Sequence, residues 1–180
     1  MRIKKYIYSL EAFFIKKLIY LNGSLYMKNY IKYLKKNGMK IIGNPNYIGT
    51  DVHFDGTDYG LITINDNVTI SKEVMFLTHD YSMHTVIKNL EINNKHLYNP
   101  EKGALAKVQG IYVGKNSFIG ARASLLPGTK IGENVIIGAC AVVKGNIPDN
   151  SVALGNPCKV ICKTSDLIDK NLINKSYIYK

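Results

Sequence analysis

The sequence predicts a mainly β protein in which a parallel β-helix follows a helical amino-terminal segment. An aliphatic residue recurs at every sixth position, a glycine follows most of these residues, and a small or β-branched residue stands four positions after the first five. The recurring aliphatic residues are Val113, Ile119, Leu125, Ile131, Ile137 and Val143. An α-helix repeats about every 3.6 residues and a strand every second residue, so neither explains this period. A hexapeptide repeat is typical of a parallel β-helix with triangular coils.

The glycines of the repeat suit tight corners, where a side chain would clash. An earlier group of hexads consists of Ile42, Ile48, Phe54, Ile64, Ile70 and Phe76, with a short insertion at 56–61. No hexads occur in 81–107, which is polar and rich in turn residues. A loop of this length in a compact fold is usually functional or disordered, and we interpret it as functional because it begins just after a histidine. The sequence therefore predicts a β-helix domain at 39–163, with a protruding loop at 81–107 and a short helix or tail at 164–180.

Residues 1–38 are interpreted as a basic helical segment. Apolar residues spaced by three and four predict an amphipathic helix over 3–21: Ile3, Ile7, Leu10, Phe14, Leu18 and Leu21. Asn22 and Gly23 break this helix, and a second one over 25–37 places Met27, Ile31 and Leu34 on one side. A helix pair of this kind more often packs on its own domain than binds lipid, and we expect such packing here.

The net charge of +11 on 180 residues is concentrated at the amino-terminal end. The first forty positions hold ten lysine and arginine residues and a single acidic residue, Glu11. Such a segment fits a solvated helix face, an anionic membrane surface, an anionic ligand or nucleic acid. We expect no nucleic-acid partner, because aromatic residues are not interleaved with the basic ones on a strand platform. A peripheral contact with the membrane surface stays open.

The cysteines and the first apolar stretch indicate the cellular compartment in which the protein is expected. Cys140, Cys158 and Cys162 are odd in number and form no CxxC pair, so we interpret them as reduced thiols of a cytoplasmic protein. Charged residues interrupt the first apolar stretch, which therefore resembles neither a secretory signal nor a membrane span. The expected location is the cytoplasm, with the inner face of the membrane as an option.

His79 is the candidate for chemistry among the four histidines. It follows the inward-pointing Phe76 by three residues, which puts it near a corner and toward solvent. An imidazole can act as a general base near neutral pH, although a single histidine before a loop is a weak signal. Asp80 is a poor partner for this imidazole, because neighbouring strand residues face opposite sides.

The stretch from Ile111 to Ile161 resembles the hexapeptide-repeat acyltransferases. The more specific parts are GNPCKVI (155–161) and THDYS (78–82), and the resemblance covers about 40–163. Within that family the chain looks most like the small O-acetyltransferases that act on galactosides, maltose, and capsule or lipopolysaccharide sugars. The resemblance implies a left-handed parallel β-helix, an exception to the right-handed crossover rule. It also implies a homotrimer with active sites between subunits, acetyl-CoA as the donor, and no metal.

Several residues match positions with roles in that family. His79 matches the histidine that removes a proton from the acceptor hydroxyl, and the backbone N–H of Ala121 matches the group that stabilises the oxyanion. The small residues that match the path of pantetheine are Gly120, Ala121, Gly138 and Ala139. Lys144 and Lys159 match basic positions near the CoA phosphates.

Polar groups for the acceptor sugar should come from the coil next to His79. Phe54 and Phe76 occupy equivalent positions, so the segments that follow them should lie side by side. This points to Asp55 and Asp58 as hydrogen-bond acceptors for sugar hydroxyls, although aspartate is also favoured in turns beside glycine.

Two further histidines complicate the acceptor site. His84 either lines the acceptor pocket or is a surface loop residue. The galactoside and maltose enzymes place an asparagine where this chain offers His53 or Asp55. We therefore expect a capsule, lipopolysaccharide or other surface glycan rather than a free disaccharide as the acceptor.

The main alternative is a zinc protein like the γ-type carbonic anhydrases, which share the β-helix. Such sites hold zinc with three imidazoles, and His53, His79 and His84 are the candidates here. His84 lies where the hexads have ended, which counts against regular ligand spacing. A non-catalytic basic scaffold is weaker still. The sequence thus predicts an acetyl-CoA-dependent O-acetyltransferase that acts on a sugar hydroxyl.

Overall fold

The structure is a computed structural model that describes residues 2–55, 58–89 and 104–173, with side chains for 10–55, 58–87 and 104–170. It begins with helix α1 (Arg2–Lys17), a 3-10 turn (Leu18–Tyr20) and helix α2 (Gly23–Lys36). The side chain of Asn22 caps α2 by accepting a hydrogen bond from the Leu25 N–H at 2.9 Å. The predicted break at 22–23 is therefore confirmed, and α2 begins two residues earlier than expected because Asn22 serves as its cap.

Short strands then stack into three faces. The first face consists of β1 (Lys40–Ile41), β4 (Ile62–Ile64), β9 (Ile111–Val113), β12 (Lys130–Ile131) and β15 (Asn146–Ile147). The second face consists of β2 (Tyr47–Ile48), β5 (Thr69–Ile70), β10 (Phe118–Ile119), β13 (Ile136–Ile137), β16 (Ser151–Leu154) and the antiparallel β17 (Lys159–Lys163). The third face consists of β3 (His53–Phe54), β6 (Met75–Phe76), β11 (Ser124–Leu125) and β14 (Val142–Val143). Apart from β17, neighbouring strands in these faces are parallel, and the chain visits the three faces in turn, which confirms the predicted parallel β-helix.

The interior of the prism holds the aliphatic residues of the hexads with one exception: Ile42 is exposed, and Ile41, which pairs with Ile64, is buried in its place. All six residues of the repeat from Val113 to Val143 are fully buried. The residues four positions after the first five are also buried: Ser117, Ala123, Thr129, Val135 and Ala141. Aromatic residues of α2 join this core, and the Tyr26 hydroxyl donates a 2.7 Å hydrogen bond to the carbonyl of Ile48. The helix pair and the coils therefore share one hydrophobic core.

The glycines of the repeat lie at tight corners where a side chain would clash, as expected. A Cβ at Gly120 would lie 2.5 Å from the backbone nitrogen of Ala139, so this glycine allows the close approach of neighbouring coils. The positive φ angles of the corners fall two residues later and are mostly held by residues other than glycine. These residues are Asn67, Glu73, Asn116, Arg122, Asn134, Cys140 and Asn150. Asparagine tolerates this left-handed conformation better than most residues do.

Four of these corner residues form a ladder along the prism. The side-chain amide of Asn67 donates to Asn116 at 3.1 Å, Asn116 donates to Asn134 at 3.0 Å, and Asn134 donates to Asn150 at 2.9 Å. Each asparagine side chain therefore forms a hydrogen bond with the asparagine at the same corner of the next coil.

The two segments that interrupt the hexapeptide repeat contain secondary structure in their described residues. A 3-10 turn (Tyr59–Leu61) ends the short insertion, and residues 56 and 57 lie outside the described residues. At the base of the predicted loop, β7 (His79–Asp80) pairs antiparallel with β8 (Lys107–Val108), and helix α3 (Ser82–Asn89) forms the first part of the loop. Residues 90–103 of the loop are not among those described. Helix α4 (Thr164–Ile173) follows the last strand, and the expected tail at 174–180 lies outside the description.

Helix α1 does not pack through all of the residues that its apolar spacing predicted. Ala12, Ile15, Leu18 and Ile19 pack against the core. Leu10, Phe14 and Leu21, which the spacing assigned to the packed side, are exposed. An ion pair of 3.0 Å between Glu11 and Lys36 also joins α1 to α2. None of the helices in the described part of the chain combines the length and apolar character needed to cross a bilayer.

Candidate active site

His79 lies where the chain leaves the third face toward the first. The strand that contains it pairs with the chain returning from the protruding loop, in a register that sets His79 opposite Val108. About a fifth (19%) of its side chain is exposed, so the imidazole is held by its surroundings and still reaches the surface. We call this position the His79 corner.

Asp55 is the charged neighbour of this imidazole. Phe54 and Phe76 are paired between adjacent coils, with their ring centroids 5.0 Å apart, which confirms that the segments after them lie side by side. Asp55 Oδ2 is 3.5 Å from Nδ1 of His79. The same oxygen accepts hydrogen bonds from the backbone N–H groups of Thr78 and His79, each at 3.2 Å. Sequence reasoning selected Asp55 as a sugar ligand and missed this contact, although the pairing of the two phenylalanines was the signal for it.

The contacts at Nδ1 favour one tautomer of His79. Besides the carboxylate, the Thr78 hydroxyl lies 2.9 Å from Nδ1. A negatively charged oxygen beside Nδ1 favours a proton on that nitrogen, and the Thr78 oxygen can then accept a hydrogen bond from it. The lone pair is left on Nε2, at the opposite edge of the ring. An imidazole in this state is suited to take a proton from a substrate.

Of the two residues that follow His79, Tyr81 lies beside the imidazole and Asp80 does not. The Tyr81 ring lies parallel to the imidazole, with centroids 6.3 Å apart, and the side chain is exposed. Asp80 faces away, as expected, and its carboxylate accepts a hydrogen bond from the Ser82 N–H at 2.9 Å. Hydrogen bonds from the Ser82 side chain and backbone, with a smaller contribution from the charges of Lys107 and Lys144, hold the pKa of Asp80 below its usual range.

The remaining acceptor candidates have structural contacts. Asp58 accepts a hydrogen bond from the Gly60 N–H at 2.9 Å and caps the 3-10 turn, which is the turn role that the sequence left open. Nδ1 of His84 accepts a hydrogen bond from the Leu105 N–H at 3.2 Å, and this bond joins α3 to the returning chain. His53 is exposed on β3.

Ala121 lies at a different corner, where the chain passes from the second face to the third. Its carbonyl accepts a hydrogen bond from the Cys140 N–H at 2.9 Å, while its own N–H has no hydrogen-bond partner among the residues that the structure describes. Ala121 is half-buried and Ala139, one coil further, is exposed. Gly120 is buried, and its lack of a side chain is required by the neighbouring coil. We call this position the Ala121 corner.

The two candidate lysines lie at different corners. Lys159 is paired with Leu154, whose side chain covers Gly138, so Lys159 lies beside the Ala121 corner. Lys144 directly follows β14 on the third face and acts electrostatically on Asp80, so it lies at the His79 corner. One chain therefore presents two separate groups of candidate residues.

The structure does not assemble a metal site from the three histidines of the zinc alternative. Within residues 2–55, 58–89 and 104–173, no three His, Cys, Asp or Glu side chains form a group that could hold a metal ion. His53, His79 and His84 are therefore not brought together, and Nδ1 of His84 is occupied by its bond to the Leu105 N–H.

Comparison with known proteins bears out the resemblance that the motifs suggested. Residues 110–145 match the family described as bacterial transferase hexapeptide (six repeats). The chain is 35% identical over 129 residues to the galactoside O-acetyltransferase of Lactococcus lactis subsp. lactis (strain IL1403). This match covers 67% of the chain and 57% of the relative, so the chain spans a little under three fifths of that relative's length. The likeness to hexapeptide-repeat acyltransferases of the sugar O-acetyltransferase type is thus confirmed.

Solved structures support the fold. A maltose O-acetyltransferase from Clostridium difficile 630 superposes with a TM-score of 0.52 at 24% identity, covering 87% of this chain and 88% of that chain. A galactoside acetyltransferase in complex with coenzyme A gives a TM-score of 0.56 at 22% identity, covering 95% of this chain and 84% of that one. At this level of identity the likeness concerns the fold, and it confirms the left-handed parallel β-helix.

Proposed function

We propose that the chain is an acetyl-CoA-dependent O-acetyltransferase that acetylates a hydroxyl group of a sugar in a capsule, lipopolysaccharide or other surface glycan. The observation that carries this proposal is the His79–Asp55 pair at the surface of a hexapeptide-repeat prism, in a chain that is 35% identical to a galactoside O-acetyltransferase. The fold alone would not define the chemistry, because one fold supports many functions.

His79 is the proposed general base. Its Nε2 takes the proton of the acceptor hydroxyl while the hydroxyl oxygen forms a bond to the thioester carbonyl carbon. The tetrahedral intermediate then collapses, the bond between carbon and sulfur breaks, and the CoA thiolate leaves with the proton from the imidazolium. Asp55 positions the imidazole and stabilises the charge that His79 carries between these steps.

The Ala121 N–H is the proposed donor to the oxyanion. Because Ala121 and His79 lie at different corners of one prism, a single chain cannot place both on the same thioester. We therefore propose a homotrimer, in which the His79 corner of one copy meets the Ala121 corner of its neighbour. In this assembly pantetheine runs beside the small side chains of Ala121 and Ala139, while Gly120 and Gly138 allow the close approach of the neighbouring coil that shapes this path. Lys159 and Lys144 lie near the CoA phosphates.

The acceptor is proposed to bind beside the protruding loop. Asp55, Asp58 and His84 are the proposed polar contacts for the sugar, and Tyr81 adds an exposed ring. The three free cysteines agree with the proposed cytoplasmic location, where reduced thiols persist.

Mass spectrometry of surface glycans incubated with the protein and acetyl-CoA tests the activity. We expect addition of one acetyl group per modified hydroxyl, and a decrease of about 10²- to 10⁴-fold in turnover for His79→Ala. Lys130→Ala is the control, since Lys130 is exposed on the first face and has no proposed role in the site. Normal turnover of a folded His79→Ala protein would refute the role of His79.

Mixed oligomers test the shared site. His79→Ala removes the base, and Ala121→Phe blocks the Ala121 corner, so each variant alone should be inactive. If one site uses both corners from two copies, co-refolding the two variants should restore activity at the interfaces where both corners are intact. Restored activity supports the homotrimer, while an inactive mixture that contains hybrid oligomers contradicts it.

A further inference from the structure

The outer side of α1 carries an apolar and aromatic surface that the described part of the chain leaves uncovered. Its members, which we call the α1 patch, are Leu10, Phe13, Phe14, Lys17, Tyr20 and Leu21. The apolar and aromatic members are between 56% and 82% exposed. Soluble proteins rarely leave large apolar side chains together on the surface without a use.

The α1 patch is held in place by the opposite side of the same helix. Ala12 and Ile15 pack against the core, and Glu11 pairs with Lys36 of α2 at 3.0 Å. Helix α1 is therefore already packed on the rest of the chain through one side, and the α1 patch is a second apolar side that faces outward.

A positive charge lies within the patch. Lys17 Nζ is 5.4 Å from the centre of the Phe13 ring and 5.7 Å from that of the Tyr20 ring. Around it, the first forty residues carry ten basic side chains and one acidic side chain, Glu11, which is already paired. A surface that binds here must accept apolar side chains and supply negative charge.

We propose that the α1 patch docks on an anionic lipid surface. Helices that lie in the membrane interface combine large apolar and aromatic side chains with lysine, and their binding increases with buried apolar area and with lipid charge. Long lysine side chains keep their ammonium groups among the headgroups while their stems lie along apolar surface. A second copy of the chain fits less well, because it carries a net charge of +11 and the same basic segment. This proposal goes beyond the proposed function and does not depend on it.

Sedimentation of the full chain with unilamellar vesicles tests the proposal without any substrate. We expect binding to mixtures of phosphatidylcholine and phosphatidylglycerol, and weak binding to phosphatidylcholine alone. The double variant Leu10→Ser, Phe14→Ser should lower partitioning on the order of 10²-fold, since two large apolar side chains no longer enter the interface. Lys17→Gln should lower binding to the anionic vesicles about fivefold and leave binding to phosphatidylcholine unchanged. Ile168→Ser is the matched control, because Ile168 is an exposed apolar residue of another helix, α4.

A fluorescence measurement locates the contact. The chain has no tryptophan, so Phe13→Trp introduces a single probe within the patch and Ile168→Trp introduces one outside it. We expect a blue shift on addition of anionic vesicles for the first probe only. Equal sedimentation of the double variant and the control, or equal spectra of the two probes, overturns the proposal. If the wild-type protein ignores the vesicles and the double variant loses a defined oligomer, the patch is instead an interface between copies.

Discussion

The carboxylate of Asp55 and the imidazole of His79 face each other across two adjacent coils, with Oδ2 and Nδ1 3.5 Å apart. The Thr78 and His79 backbone N–H groups donate to the same oxygen at 3.2 Å. The carboxylate is thus held by the backbone that carries the histidine. These contacts fix the carboxylate of Asp55 relative to the imidazole of His79, so the two groups are positioned before a substrate binds.

The first prediction concerns the orientation of His79. Asp55→Asn keeps the size of the side chain but removes its charge, so the Nδ1–H tautomer loses the interaction that favours it. We expect kcat to fall on the order of 10²-fold or more, as when a carboxylate that orients a histidine is lost, with the KM for acetyl-CoA unchanged. Steady-state kinetics with both substrates measures this.

Asp149→Asn is the control for this variant, because Asp149 is a carboxylate at another corner that also accepts a backbone hydrogen bond, from the Glu133 N–H at 2.8 Å. Circular dichroism should show that both variants are folded. If Asp55→Asn raises the KM for the acceptor and leaves kcat unchanged, Asp55 is a sugar ligand, as the sequence suggested, and does not position His79.

The second prediction concerns the donor. Lys159→Ala and Lys144→Ala should each raise the KM for acetyl-CoA about five- to tenfold with little change in kcat, because each removes a charge that interacts with phosphate in the ground state and the transition state alike. Lys130→Ala is the matched control, since Lys130 is exposed on the first face. An unchanged KM for either variant shows that its lysine is merely solvated.

The core was predictable because burial fixes the period of a triangular coil. One aliphatic side chain must enter the interior on each face, and the residues from Val113 to Val143 do so. The position of His79 three residues after Phe76 followed from the same register. The contact between His79 and Asp55 depends on the side-chain rotamers of residues in two coils. The six-residue period of the sequence does not determine these rotamers.

The packed side of α1 was not predictable from spacing alone. The helix has two apolar sides, one that contains Leu10 and Phe14 and one that contains Ala12 and Ile15. The side with Leu10 and Phe14 gave the stronger pattern, whereas Ala12 and Ile15 are the residues that pack against the core. The clash that requires glycine at the corners was predictable, but the sequence did not indicate that the left-handed φ angles fall two residues later, mostly on asparagine and other non-glycine residues.

The third prediction concerns the asparagine ladder. Asn134 has a φ angle of +55° and hydrogen bonds to Asn116 and Asn150. Asn134→Gly removes these hydrogen bonds but accepts the backbone conformation, whereas Asn134→Ala removes them and also strains the backbone. We expect the alanine variant to be less stable than the glycine variant by about 1 kcal/mol, and both to be less stable than the wild type. Urea unfolding measures the difference, and equal stabilities of the two variants would contradict a conformational role.

The last prediction concerns alkaline pH. Burial, together with the neighbouring tyrosines, raises the pKa values of Tyr26 and Tyr30 above their ordinary value of 10. Above that pH the unfolded chain loses these protons while the folded chain keeps them, so stability is complete below pH 10 and falls as the pH rises further. Between about pH 9 and about pH 11, we expect the free energy of unfolding to fall by about 1.4 kcal/mol for each tyrosine.

Tyr26→Phe separates this effect from packing. The variant loses the hydrogen bond to the Ile48 carbonyl, so it should be less stable by about 1 kcal/mol below pH 9. Tyr30 still keeps its proton in the folded state, and burial also raises the pKa of Tyr59, so the alkaline loss should be smaller than that of the wild type by the contribution of Tyr26, about 1.4 kcal/mol. Tyr20→Phe, at an exposed position, should keep the full loss. Urea titrations at several pH values measure these slopes, and an identical slope for Tyr26→Phe and the wild type would show that Tyr26 does not contribute to the alkaline lability.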